Sequence, residues 1–152
     1  MSDELTKSFK QVYDKFKLRF YRRIFDLVRE RDGSLSAMEA FSIEVIRMLG
    51  RPTIGQFAEF LNISQSNATY KVNNLIKKGY IERENSPTDR REYHISLSQK
   101  YYDYINLLND YEEIVMSRLA ERLPQEDIDK FCEILNIIST ELTPECPIPE
   151  TV

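Results

Sequence analysis

The sequence predicts a mainly α-helical chain with one small β-hairpin, an α+β organisation. Three observations predict it. Apolar residues recur every three or four positions along most of the 152 residues, the mark of amphipathic helices. The period drops to two only around residues 80–98, where Tyr93, Ile95 and Leu97 alternate with His94, Ser96 and Ser98. Short start and stop signals, rather than long loops, separate the helical stretches.

Taken in order, residues 4–31 form the first helix, with Leu5, Phe9, Val12, Phe16, Phe20, Ile24, Leu27 and Val28 on one stripe and Asp32-Gly33 as its stop. Ser36-Ala37-Met38-Glu39 is a capping box opening a helix over 36–49, with Met38, Phe41, Val45, Ile46 and Leu49 inward. Gly50-Arg51-Pro52 breaks it, and Thr53-Ile54-Gly55-Gln56 opens a short third helix through Leu61. Asn62 suits a left-handed stop. Ser64 caps a fourth helix that runs to Lys78 and ends at Gly79. Tyr80–Glu84 and Tyr93–Leu97 are strands joined by the turn chemistry of Asn85-Ser86-Pro87-Thr88-Asp89. One helix is expected over 99–122, and a last one over 125–142 begins at Pro124 with Ile128, Phe131, Cys132, Leu135, Ile138 and Leu142 inward.

Composition limits the function classes. Hydrophobic residues at 41% and charged residues at 30% are those of a folded globular chain. No apolar stretch approaches the roughly 20 residues needed to cross a bilayer, and MSDELTKSFK lacks the apolar segment of a signal peptide. A cytoplasmic location without a membrane partner is expected. Cys132 lies among Phe131, Ile134 and Leu135 and reads as a small buried hydrophobe. Cys146 sits in the tail TPECPIPETV; a redox role for either cysteine stays open. With His94 as the single histidine, no metal site and no cofactor is expected. An enzyme is not expected either, since neither a nucleophile elbow nor a phosphate loop is present.

Charge points to a polyanion met through the middle of the chain. Net charge is −4, yet residues 51–100 carry eight basic and five acidic side chains, against 13 and 20 elsewhere. From Phe60 to Ile81 there is no carboxylate at all. On a helical wheel of about 100° per residue, Ala68, Val72, Leu75 and Ile76 gather on the core side of residues 65–78. The opposite side gathers Ser66, Tyr70, Asn73, Asn74 and Lys77, with Asn67 and Lys78 at its edge. Amides and hydroxyls read base edges in the major groove, and lysines pair with phosphates. Two short helices separated by Asn62-Ile63-Ser64 form a helix-turn-helix, with Ala58 at the close crossing and Phe57, Leu61, Ile63, Ala68 and Val72 as its core. The hairpin makes this a winged helix whose loop presents arginines to an adjacent minor groove. The residues expected at DNA are Ser64, Gln65, Ser66, Asn67, Thr69, Tyr70, Lys71, Asn74 and Lys77 from the helix, and Asp89, Arg90 and Arg91 from the loop. Asp89 is expected to hold an arginine or cap the turn.

The stretch TIGQFAEFLNISQSNATYKVNNLIKKGYIERENSPTDRREYHISLS resembles the winged-helix core of the MarR family of bacterial transcription regulators. Its most specific pieces are Leu75-x-x-x-Gly79-Tyr80-Ile81-Glu82-Arg83, and Asp89-Arg90-Arg91 before a strand ending Leu97-Ser98. The resemblance implies a homodimer on a pseudo-palindromic double-stranded operator, usually a repressor released by a small ligand. Arg91 matches the family's wing-tip arginine and Asp89 its paired acid. Two positions depart from the pattern: Tyr70 stands where arginine is frequent, and Tyr101 replaces a glycine after the second wing strand. The first alters the expected base preference; the second implies that the following helix starts differently.

The expected organisation is a winged helix-turn-helix module at 35–98, a helical dimerisation region from 1–34 plus 99–144, and a flexible tail at 145–152. The flanking helices carry longer apolar stripes than the module can cover, and a symmetric partner buries the remainder most simply. Phe16, Phe20 and Phe41 either line a crevice for a small lipophilic or aromatic effector or are core. The competing function is a winged helix used for protein–protein assembly, which calls for an acidic or apolar face on residues 65–78 and no wing arginines.

Overall fold

Seven helices and two strands are found in the computed structural model, which describes residues 2–29, 34–89, 91–105, 110–146 and 148. They are α1 (Ser2–Val28), α2 (Ala37–Leu49), α3 (Ile54–Leu61), α4 (Gln65–Lys77), β1 (Ile81–Asn85), β2 (Tyr93–Leu97), α5 (Gln99–Ile105), α6 (Tyr111–Arg122) and α7 (Gln125–Glu141). This is the mainly helical, hairpin-bearing architecture that the periodicity predicts. No helix of the described residues is long and apolar enough to cross a membrane.

Local chemistry sets the boundaries around the module. Ser36 and Thr53 each form a complete capping box, with Glu39 and Gln56 as the reciprocal partners. Ser64 accepts the Asn67 N–H and so starts α4. Asn62 ends α3 in the left-handed conformation, φ 53°, where its N–H reaches Ala58 and Glu59 carbonyls. Gly79, at φ 82°, releases the chain from α4 into β1. The predicted stop at Asp32-Gly33 lies outside the described residues.

The chain divides into two compact units, one of Met1–Arg19 with Asn109–Pro147, the other chiefly Phe20–Leu108. In the larger unit, one core joins Ile24 and Leu27 of α1 to Ala40, Ile43 and Ile46 of α2, Phe57 and Ala58 of α3, Ala68, Val72 and Leu75 of α4, and Ile81 and Ile95 of the hairpin. The strands are antiparallel, with Ile81 opposite Leu97 and Asn85 opposite Tyr93. Main-chain bonds lock the hairpin to the module: the Ile95 N–H donates to Pro52 at 2.8 Å and the Ser98 N–H to Tyr80 at 2.9 Å. Since a carbonyl only accepts, His94 Nδ1 carries the proton in its 2.9 Å bond to Arg51 O.

Three expectations need correction. In α2 the buried residues are Ala40, Ser42, Ile43, Glu44, Ile46 and Leu49, while Met38 is 63% and Phe41 38% exposed. A stripe drawn through the largest side chains misses a core face built on a small alanine and a paired glutamate. The helix expected over 99–122 is interrupted: Asp110 is extended, at φ −67° and ψ 106°, and α6 starts after it. Residues 106–109, which precede it, lie outside the described residues. In α7 no residue is buried, and Cys132 and Cys146 are both exposed. Among the described residues the stripe carrying Cys132 is at most half-covered, so the expected burial of that cysteine is not found.

The smaller unit is loosely covered. Phe16 packs on Tyr111 with ring centroids 5.5 Å apart, and the Arg19 guanidinium lies 4.8 Å from the same ring. Leu5, Phe9, Val12, Leu18, Met116, Ile134, Leu135, Ile137 and Leu142 are exposed.

Candidate nucleic-acid interface

The interface is built on α4, seated by three buried residues. Ala68, Val72 and Leu75 have no or almost no exposure and fix the helix on the core. A helix with one face so fixed must turn Ser66, Asn67, Tyr70 and Lys77 to solvent, and all four are exposed, Tyr70 by 68%. Gln65 and Ser64 at the amino end are exposed as well. No acidic residue occurs in α4.

The remaining predicted helix residues are more constrained. Ser64 Oγ holds the cap and lies 3.2 Å from Ser66 Oγ. The Thr69 hydroxyl donates back to Gln65 O at 2.9 Å, so its proton is committed within the helix. Lys71 and Asn74 are half-buried and, with Tyr70 and Leu75, line a shallow cleft against Ser36, Met38, Glu39 and Ser42 of the α2 amino end. Lys78 is engaged within the module. Its Nζ donates to Ser34 O at 3.0 Å and to Glu39 Oε1 at 2.9 Å. Partial burial would raise the Glu39 pKa, but hydrogen bonds from Lys78 and from the Ser36 backbone and side chain hold it below the ordinary carboxylate range.

The wing tip is organised by its acid. Asp89 Oδ1 accepts the Arg91 N–H at 2.9 Å, and Asp89 O accepts the Glu92 N–H at 3.3 Å. Asp89 therefore caps the turn, one of the two roles expected of it, and presents Arg91 as an exposed side chain. Arg90 lies outside the described residues. Lower on the wing, Arg51 pairs with Glu84, and Ser96 also donates to Glu84 at 3.4 Å.

Two clusters were not visible in the sequence pattern. Arg83 of β1 donates to Asn73 Oδ1 of α4 at 3.0 Å and lies 4.1 Å from the centroid of the Tyr93 ring. Glu44, buried in α2, receives Arg47 at 3.0 Å, Arg23 at 3.8 Å and the Tyr101 hydroxyl at 3.0 Å. Tyr101, where the family resemblance expects glycine, is itself fully buried. Of the three aromatic candidates, Phe20 and Phe41 are in contact, with centroids 6.2 Å apart, while Phe16 contacts Tyr111 in the other unit.

The family model for MarR matches residues 37–93, from α2 to the start of β2. The transcriptional regulator SarT of Staphylococcus aureus is 30% identical over 106 residues, covering 68% of this chain and 86% of that protein. The chain belongs to the MarR family. A second relative in sequence is the uncharacterized HTH-type transcriptional regulator YkoM of Bacillus subtilis, 22% identical over 77% of this chain and 80% of that one. The fold is shared with Streptococcus pneumoniae FabT, solved in complex with DNA, at TM-score 0.59 and 22% identity over 93% of this chain and 97% of that one. It is shared too with a MepR mutant of multidrug-resistant S. aureus, at TM-score 0.60 and 14% identity over 91% and 97%. The MarR-family chain is thus a winged-helix transcription regulator rather than an enzyme.

Proposed function

We propose that two copies of this chain read a pseudo-palindromic duplex operator, each placing α4 in a major groove and its wing tip in the neighbouring minor groove. The observation that carries the reading is the exposed, carboxylate-free face of α4, held on a capped helix-turn-helix. Ser64, Gln65, Ser66, Asn67, Thr69, Tyr70, Lys71, Asn74 and Lys77 form the major-groove arm, with Tyr70 and Asn67 reading bases and Lys77 meeting phosphate. Arg91 forms the minor-groove arm, on the turn that Asp89 shapes, and Arg90, its neighbour in sequence, is assigned to the same arm.

Dimerisation is supported by what the single chain leaves uncovered: α6 and α7 bury no residue, and large apolar side chains line both and the start of α1. Large apolar side chains left exposed along several helices suit an association surface. The proposed division of labour assigns 1–34 and 99–144 to dimerisation, 35–98 to DNA and 145–152 to a tail. The protein acts in the cytoplasm as a repressor. A small lipophilic or aromatic ligand near Phe20 and Phe41, with Phe16 as a further candidate, relieves it by changing the separation of the two α4 helices. Selection of duplexes from a random pool by the purified chain tests the central reading. Convergence on a two-fold symmetric motif is expected; a pool that stays random would favour a module for protein assembly instead.

A further inference from the structure

The Arg83 cluster ties the wing to the recognition helix. Arg83 opposes Ile95 in the hairpin, which makes Tyr93, two residues along β2, its diagonal neighbour. The guanidinium lies 4.1 Å from the Tyr93 ring centroid, a cation–π distance, and so is held in one plane. From that plane Nη2 donates to Asn73 Oδ1 at 3.0 Å. Arginine has donors only, so Asn73 must turn its oxygen to Arg83, which leaves the amide Nδ2, a pure donor, on the other branch. Asn73 is three residues after Tyr70 and four before Lys77, on the side of α4 that carries both.

We propose that Arg83 is a positioning residue for DNA recognition: it locks the Asn73 amide so that its NH2 group faces an acceptor on the DNA, and it couples the wing to α4. The proposal rests on the reading of the chain as a duplex-DNA binder. In this proposal Arg83 acts through Asn73 rather than through a phosphate: its guanidinium lies on the Tyr93 ring and gives one of its N–H donors to Asn73. Lysine at this position would keep the charge but lose the planar fork and the stacked geometry.

The test measures binding of wild type, Arg83→Lys, Asn73→Ala and the double variant, on a duplex selected by the wild type and on random duplex, at several salt concentrations. Arg83→Lys should reduce the preference for the selected duplex by about tenfold with an unchanged salt slope. Asn73→Ala should do the same, and the double variant should bind no worse than Asn73→Ala alone. Wild-type preference retained in Arg83→Lys, or losses that add in the double variant, would overturn the positioning role. A wild type that prefers no duplex would overturn the DNA reading, and this inference with it.

Discussion

At the scale of single residues, the two arms of the interface make different demands. Lys77 is exposed on α4 with no apolar role, so Lys77→Ala should weaken binding to all duplexes alike and flatten the salt dependence by about one unit of slope. Arg91 sits on a turn that its own N–H helps to close, which fixes the point on the wing from which its exposed side chain extends. Arg91→Ala should cost on the order of 1–3 kcal/mol of operator binding, most on sites with narrow A·T-rich flanks. Because Arg91 is exposed, unfolding stability should change by less than about 0.5 kcal/mol. Titrations across salt, on selected and random duplexes, check both. Tyr101 concerns stability instead. Burial raises its pKa above the ordinary 10.0, and the adjacent Glu44 carboxylate raises it further, against smaller opposing effects of Arg47 and Arg23. The folded chain then holds the phenolic proton more tightly than the unfolded chain. Its contribution is present in full below pH about 10 and is lost as pH rises beyond it. Tyr101→Phe should cost about 1–3 kcal/mol near neutral pH by removing a donor to a buried carboxylate. It should also flatten the alkaline fall in stability, as measured by urea unfolding at a series of pH values.

At the scale of elements, the boundaries of the module follow from short-range chemistry and were legible in the sequence. Ser36 with Glu39 and Thr53 with Gln56 are separated by three residues and act locally, and Asn62 and Gly79 take the left-handed conformations their types favour. Thr53→Ala should lower stability by about 1 kcal/mol through loss of the cap. Gly79→Ala should cost about 1–2 kcal/mol, although an added Cβ would meet nothing closer than Lys100 Cδ at 3.5 Å, because the residue sits at φ 82°. Equilibrium unfolding of both variants decides the point. The face of α4 was legible for the same reason, since a single helix places its own residues. The contacts that join separate elements were not. Lys78 meets Glu39 across 39 positions, Tyr101 meets Glu44 across 57, and Arg83 meets Asn73 from another element. Such pairs depend on how elements pack, which periodicity does not encode. On the inward face of α2, Ile46 and Leu49 are buried as the periodicity predicts, but the core accepts Ala40 and Glu44 in place of Met38 and Phe41.

At the scale of the whole molecule, the exposed stripes of α1, α6 and α7 and the single reading helix per chain point the same way. In the proposed assembly one α4 would contact one half-site, and a two-fold dimer would place two of them about one helical turn, roughly 10 base pairs, apart. Leu135, on α7, is 43% exposed in the single chain, so Leu135→Asp should leave the chain folded. It should raise the dimer dissociation constant on the order of a hundredfold by setting a charge in an apolar interface, as read by sedimentation equilibrium. The measurement that bears most directly on the proposed assembly is the mass of the complex formed on the duplex that the wild-type chain selects, determined by analytical ultracentrifugation. Two chains per duplex, on a motif with two-fold symmetry and half-site centres one turn apart, is the predicted result. One chain per duplex bound with undiminished affinity, or no complex that survives competition by random DNA, would contradict it.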